Sequence, residues 1–275
     1  MVQISPTYDA APILVFDGLG DPSAALLRQR TRLLDTLRGL DDAQWDTPSR
    51  CEKWSVKDVV AHLVGTDQFW AVSFSAGILG KPTRLLVAFD PVDTPEQMVA
   101  ATRAAPPSDV LARFAAQVDN LATTIASVTD WAVLAESPPG HVALNVAVLH
   151  ALWDAWIHER DIVVPLGLSP VVDDEEVALV LRYAAALSPA ISASARTGKR
   201  GSLAVQATDR DIAFSVEVAE QVVVRDGLVD GPGATLRGDA VDLIEGLSHR
   251  APLPELNAEH QWLLDGLAEI FETRT

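Results

Sequence analysis

The sequence predicts a chain of two parts, an N-terminal four-helix bundle followed by a small α+β domain with an antiparallel sheet. Between residues 21 and 164, apolar residues recur at helical spacing in several long stretches joined by fairly long loops. After Gly167 the pattern changes to short apolar or alternating runs separated by charged turns, which is typical of antiparallel strands. With 275 residues, 48% of them apolar, the chain is long enough for two domains. We therefore assign 1–20 to an irregular arm, 21–168 to the bundle and 169–275 to the second domain.

Capping signals set the starts of the bundle helices. Asp21-Pro22 offers an N-cap residue followed by proline at the first helical position, and leucines continue the pattern to Leu40. Ser55 is an N-cap candidate, and Asp58 three residues later completes an acidic capping box. The further helices of this part are expected at 95–104, 109–128 and 142–164, with a short helical turn at 42–45.

The second domain is predicted to combine a helix, a strand meander and two closing helices. The first helix is expected at 173–187, and 234–237 is a candidate fourth strand after three clearer ones. The clearer strands are predicted at 202–207, 212–217 and 221–225, and the closing helices at 240–249 and 257–272.

The charge balance excludes two classes of partner. The 21 basic and 38 acidic residues give a formal net charge of -17, whereas nucleic-acid and anionic-lipid surfaces require a basic face. The single cysteine, Cys51, rules out an intramolecular disulfide and a Cys-rich metal site. The N-terminus lacks a signal-peptide pattern, and no stretch is long and apolar enough to span a bilayer. We expect a cytoplasmic monomer or homodimer that acts on small molecules, with no nucleic-acid or membrane partner.

Asp154 and His158 form the most informative pair of polar residues. They lie four residues apart in a stretch rich in tryptophan and isoleucine, so on a helix they share one largely buried face. Buried polar side chains need partners, and one divalent metal ion satisfies both. We hypothesise that His62, in another apolar helical stretch, completes the ligand set. The alternative is an ordinary hydrogen bond or salt link for the pair, and a hydrogen-bonded core position for His62.

Two imidazoles and one carboxylate suit more than one metal. Zinc accepts this set and keeps a fourth position for water or substrate. Non-haem Fe2+ also uses two histidines and one carboxylate. With no thiolate among the ligands, Ni2+ and Mn2+ stay open as well, and Zn2+ is the first expectation.

Three further residues are candidates for roles around this site. His150 lies one helical turn before Asp154 and is either a fourth ligand, a catalytic base or a core histidine. Asp161 either orients a ligand histidine as a catalytic partner or forms an ion pair with Arg160. Nothing in the sequence marks Cys51 as activated, so we interpret it as structural.

Three stretches resemble the mycothiol-dependent maleylpyruvate isomerase family of actinobacteria, within the DinB-like superfamily. The first runs from 37 to 63 and contains the run Trp54-Ser-Val-Lys-Asp-Val-Val-Ala-His-Leu. The second begins at Asp154 with Asp-Ala-Trp-Ile-His-Glu-Arg-Asp and ends at Gly167. The third, 236–250, is similar to that family's sterol-carrier-protein-like C-terminal domain. Together they carry the likeness from about residue 20 to the end of the sequence.

The resemblance implies a DinB-like bundle that binds a divalent metal, usually zinc, through His62, Asp154 and His158. It implies that the metal activates the thiol of a low-molecular-weight cofactor, which is mycothiol in characterised members. The isomerase has glutamate at the position of Asp154, whereas many relatives have aspartate. A C-terminal arginine in a Gly-Arg context serves the isomerase. Arg250, here preceded by His249 instead of glycine, is the nearest match for a catalytic and cofactor-binding arginine that holds an acidic group.

Residues and resemblance together predict a metal-dependent thiol S-transferase or a thiol-dependent isomerase. Mycothiol, or another small thiol such as ergothioneine, is the expected cosubstrate, and a small electrophile is the expected substrate. A metal ion is expected to assist this chemistry because a thiol is mostly protonated at neutral pH, while metal binding favours the thiolate. Two alternatives stay open: a non-enzymatic protein that binds a small molecule, and a metal-dependent hydrolase that uses bound water.

Overall fold

The N-terminal part of the protein is built from helices. The computed structural model describes residues 6–88, 90, 92–195 and 197–272. Its helices before residue 164 are α1 (Ser23–Arg38), α2 (Asp42–Trp45), α3 (Val56–Ile78), α4 (Asp93–Ala100), α5 (Pro107–Ala126) and α6 (Leu144–Val163). A short 3-10 helix, Leu86–Ala88, lies between α3 and α4. These six helices were predicted from the sequence, with ends displaced by a few residues.

Local capping explains where α3 begins. The Ser55 hydroxyl accepts from the backbone N–H of Asp58, and the Asp58 carboxylate accepts from the backbone N–H of Ser55. The predicted capping box is therefore present, and it satisfies two backbone donors that the helix leaves unpaired. Because this cap sets the start of α3, it also sets the position of His62 two turns further along.

The four long helices pack on one another. Helices α1 and α3 each contact both α5 and α6, so α6 has α1 and α3 as neighbours. A hydrophobic cluster that includes Leu33, Val59 and Phe114 fills the space between them. The ion pair between Arg30 and Asp67, 2.5 Å apart and fully buried, joins α1 to α3.

The C-terminal part combines a sheet with helices α7 (Asp174–Ser194), α8 (Ala240–Leu247) and α9 (Trp262–Glu272). The strands of the described residues are β1 (Leu14–Phe16), β2 (Leu134–Ser137), β3 (Gly140–Ala143), β4 (Gly201–Ala207), β5 (Ala213–Val218), β6 (Val222–Asp226) and β7 (Ala234–Gly238). Five of them form one sheet in the order β1-β6-β5-β4-β7, and β2 pairs with β3 in a separate hairpin. The helical and α+β parts agree with the predicted fold class.

Both edges of the large sheet differ from the predicted meander. Strands β4, β5 and β6 pair antiparallel as predicted, but β7 runs parallel to β4, and β1 runs parallel to β6. Strand β1 comes from the segment that was predicted to be an irregular arm, so that expectation was wrong for Leu14–Phe16. Three residues are too few for an alternating pattern to stand out. Residues 1–5 of the predicted arm and 273–275 of the predicted second domain lie outside the described residues.

The hairpin β2–β3 was also missed. No strand was predicted between the helices expected at 109–128 and 142–164, but the two prolines of Ser137-Pro-Pro-Gly140 form the turn between paired strands. Gly140 has a φ of 117°, and a Cβ there would lie 2.1 Å from the carbonyl oxygen of Thr7. Glycine is required at this position both by its backbone conformation and by the close approach of the N-terminal segment.

Helix α7 is the central helix of the C-terminal part. By length and composition it is apolar enough to cross a membrane, contrary to the expectation that no stretch would qualify. However, 78% of its apolar window is buried inside the protein, so its composition reflects core packing. The larger hydrophobic core includes residues of α3, α6, α7 and the sheet. The residues of that core come from both sides of residue 168. The domain boundary at residue 168 stays a prediction.

Candidate metal centre

Helix α6 is buried on all sides except one narrow stripe. From Val146 to Val163 each residue is buried, apart from four: His150, Trp153, Asp154 and His158. His150, Asp154 and His158 follow one another at intervals of four residues and Trp153 is three residues after His150, so these side chains lie along one side of the helix. Between Val146 and Val163, solvent therefore reaches this helix only along a stripe of polar and aromatic side chains. We call these four residues the α6 stripe.

Three predicted ligands meet on this stripe. His62 Nε2 lies 3.6 Å from Asp154 Oδ1, and His158 Nε2 lies 3.4 Å from the same oxygen. The three ligand atoms are all within 4.8 Å of one another, which is compact enough for one cation. Helix α3 supplies His62 and α6 supplies the other two, so the packing of these helices forms the group.

The donor set fits a divalent metal ion. His62 is 7% exposed, and both of its ring nitrogens are buried without a hydrogen-bond partner among the described residues. A buried imidazole without a partner is costly, and a cation between it and the Asp154 carboxylate would remove that cost. Two imidazole nitrogens and one carboxylate oxygen are common ligands of zinc and non-haem iron.

The three candidate ligands have shifted pKa values. Burial lowers the pKa of His62. Burial alone would also lower the pKa of His158, but Asp154 and Asp161 outweigh it and raise that pKa well above its usual value. Burial acts to raise the pKa of Asp154, yet His158 and His62 hold it well below its usual range. The two neighbouring carboxylates therefore favour the protonated form of His158, and a metal ion bound at Nε2 would compete with that proton.

Asp161 fixes the orientation of His158. Its Oδ2 lies 3.0 Å from His158 Nδ1, and its carboxylate is fully buried. An Nδ1–H that donates to this carboxylate leaves the Nε2 lone pair facing Asp154 and the ligand position. The same carboxylate accepts two hydrogen bonds from Arg250, from Nε at 2.9 Å and from Nη2 at 2.8 Å. Asp161 thus connects His158 to the C-terminal part of the chain.

A left-handed turn after α8 brings Arg250 to this site. His249 has a φ of 57°, a conformation that glycine adopts readily and other residues seldom do. The backbone N–H of Arg250 donates to the carbonyl of Glu245, and that of His249 donates to the carbonyl of Gly246. This is the Schellman arrangement of a helix C-terminus. A Gly-Arg context therefore suits this position because the residue before the arginine must be left-handed.

Cys51 also lies beside the site, which the sequence did not indicate. Its Sγ is 3.2 Å from Asp161 Oδ2, 3.8 Å from His158 Nδ1 and 3.6 Å from Arg250 Nη2. The ligand atoms of Cys51, His158 and Asp161 form a second compact group that shares His158 with the first. Cys51 thus contacts three candidate site residues, and its interpretation as a structural residue stays a prediction.

His150 lies at the other end of the α6 stripe, away from the ligand atoms. Its Nδ1 is 2.5 Å from the hydroxyl of Tyr183, and its ring contacts those of Trp70 and Trp153. Burial lowers the pKa of His150 to about 4. His150 is not among the ligand atoms that lie within 4.8 Å of one another, so the described structure separates it from the predicted ligand set.

Two further side chains border the ligand group without having been predicted. The ring centroid of Trp54 is 5.2 Å from that of His62 and 6.5 Å from that of His158. Thr66 Oγ1 lies 3.5 Å from Asp154 Oδ2, one turn after His62 on α3. The spacing of His62 and Thr66 was visible in the sequence, but the placement of Trp54 depends on the loop before α3.

Comparison with known proteins gives one family and one fold. A family model described as the mycothiol maleylpyruvate isomerase N-terminal domain matches residues 26–163. Two solved structures, those of a mycothiol-dependent maleylpyruvate isomerase and of a histidine-to-alanine mutant of it, have TM-scores of 0.62 and 0.61. Each is 16% identical, and each alignment covers 86% of this chain and 92% of that chain. No curated protein sequence matches the chain. The structural likeness extends well beyond residue 163 and establishes a shared fold.

Proposed function

The chain belongs to the mycothiol maleylpyruvate isomerase family, and from that premise we propose that it is a metal-dependent enzyme that uses mycothiol or a similar small thiol. Its substrate would be a small electrophile, which the thiol sulfur attacks. The observation that carries the proposal is the meeting of His62, Asp154 and His158 on the solvent-accessible stripe of an otherwise buried helix. A purely structural polar cluster needs no access to solvent.

Each residue of the site has a physical role in this proposal. His62, Asp154 and His158 would hold the metal ion, most simply Zn2+. When bound, the ion would favour the thiolate form of a small thiol at neutral pH. Asp161 keeps His158 in the tautomer that presents Nε2. Arg250 supplies positive charge at the edge of the site, where an acidic group of thiol or substrate can exchange with the carboxylate of Asp161.

Two reaction outcomes follow from attack by a thiol sulfur. In an isomerisation, sulfur adds to a carbon–carbon double bond, the resulting single bond rotates, and the same carbon–sulfur bond then breaks. The thiol is regenerated and the double bond is restored in the other geometry. In an S-transfer, the carbon–sulfur bond persists and thiol is consumed with the electrophile. The isomerase name of the family favours the first outcome for this chain.

The test is a combined metal and thiol analysis of the purified protein. We expect stoichiometric divalent metal, and mycothiol-dependent conversion of an activated alkene, in the wild-type protein. His158→Ala should lose both, while His260→Ala, which removes a partly exposed histidine outside the site, should keep both. If the substrate is converted at the same rate with and without added thiol, the protein is a hydrolase that uses bound water. Absence of stoichiometric metal, or its full retention in His158→Ala, would refute the proposed site.

A further inference from the structure

The two ends of the α6 stripe differ in charge. At the His158 end, Arg250 and Asp161 form a close ion pair, with Cys51 beside them. Arg50, which pairs with Glu245, adds a second cation at this end. Charged and hydrogen-bonding groups therefore dominate the His158 end.

The His150 end is built from aromatic rings. The centroid of the His150 ring is 5.1 Å from that of Trp70, 5.5 Å from that of Trp153 and 5.2 Å from that of Tyr183. Trp153 and Tyr183 also contact each other at 5.9 Å. These side chains come from α3, α6 and α7, so both parts of the chain contribute to this end. Because His150 and Trp153 keep contact with solvent while the residues around them are buried, the ring cluster borders accessible space.

This end carries no charge of its own. Burial keeps His150 neutral at neutral pH, and burial also raises the pKa of Tyr183 far above its usual value. Among the described residues, the charge that acts on both groups is that of Asp154, which is negative. A carboxylate placed among these rings would lose its hydration, meet no cation and be repelled by Asp154. An uncharged ring would instead stack on Trp153, whose side chain is partly exposed.

We propose that the His150 end of the stripe is the subsite for the electrophile, and that it selects substrates with an uncharged, ring-sized apolar group. The proposal rests on the thiol chemistry proposed above. One helical turn, roughly 6 Å, separates His150 from Asp154 along α6. That spacing accommodates a single ring and a short linker, with the reacting carbon beside the ligand group.

Binding of two thioether conjugates of the same thiol tests this subsite without turnover. We expect the S-benzyl conjugate of mycothiol to bind at least about tenfold more tightly than the S-carboxymethyl conjugate, by calorimetry with the wild-type protein. Trp153→Leu should remove this preference. Trp131→Leu should keep it, because Trp131 is a partly buried tryptophan outside the stripe. Equal binding of the two conjugates to the wild-type protein would overturn the proposal without any variant.

Turnover separates this inference from the proposed function. The specificity constants kcat/KM are compared for an uncharged aryl enone and a cis-dicarboxylate alkene of similar reactivity towards free thiol. A preference of about tenfold or more for the aryl enone supports the subsite. A preference for the dicarboxylate overturns the subsite and leaves the thiol chemistry standing. No thiol-dependent conversion of either compound overturns the proposed function, while the conjugate-binding preference still decides the ring subsite.

Discussion

Replacing Asp161 by asparagine tests whether the Asp161 carboxylate strengthens metal binding through its contact with His158. The change keeps the shape of the side chain but removes the charge that His158 Nδ1 and Arg250 both contact, at 3.0 and 2.8 Å. Because Asp161 is fully buried, no solvent replaces the lost charge. Partners that orient a metal-binding histidine typically contribute 10–100-fold to metal affinity. We therefore expect the zinc dissociation constant of Asp161→Asn to rise by about 10–100-fold, or ~1.4–2.8 kcal/mol.

Competition with a chromophoric zinc chelator, at fixed pH and salt, measures this change. Circular dichroism of the metal-free variant checks that the fold is kept. Glu245→Gln is a matched control, because Glu245 is a carboxylate of the neighbouring cluster that pairs with Arg50 and Arg160. The reasoning is refuted if Asp161→Asn binds zinc as tightly as the wild-type protein, or if Glu245→Gln weakens zinc binding equally.

Three predictions concern the stability of the fold. Arg30→Met leaves the Asp67 carboxylate buried without its cation and should lower the free energy of unfolding by about 3–5 kcal/mol in urea titrations, with partial recovery on adding Asp67→Leu. Because the pKa of His150 is lowered to about 4, the unfolded chain binds a proton below pH 6.5 that the folded one does not. The free energy of unfolding should therefore fall by up to about 3 kcal/mol between pH 6.5 and 4, and it should fall less steeply in His150→Gln. The same pH dependence in His150→Gln as in the wild-type protein would contradict a lowered pKa of His150. Ser55→Ala removes the side-chain cap of α3 and should lower the free energy of unfolding by about 1 kcal/mol, which is measured as a lower melting temperature. An unchanged melting temperature would show that this cap is dispensable.

The pairing of Asp154 with His158 was predictable because helical geometry relates the two positions. Four residues of helix separate Asp154 from His158, so their common face follows from spacing alone. His62 lies on a helix whose start is set by the Ser55 cap, and a buried apolar context marked it in the sequence. That His62 faces Asp154, however, depends on how α3 packs on α6, which the periodicity of either helix does not specify.

The surroundings of the ligand set were not predictable from spacing. Arg250 reaches Asp161 across 89 residues of chain, and it does so through a left-handed backbone at His249 that the residue type does not indicate. Cys51 lies in a loop without periodicity, so its approach to Asp161 could not be read from its neighbours. Strand β1 joins the sheet at an edge that only the three-dimensional packing creates.

Cobalt substitution tests the central claim, that a metal held by His62, Asp154 and His158 binds the thiol. Cobalt-loaded protein is titrated with mycothiol in the absence of electrophile, and the near-ultraviolet band of a cobalt–thiolate bond is followed. Cys51→Ser is the necessary background, because the Cys51 sulfur lies 3.8 Å from His158. We expect the band to appear with stoichiometric mycothiol in Cys51→Ser and to be absent when His158→Ala is added. Stoichiometric cobalt with no thiolate band at saturating mycothiol would contradict the account.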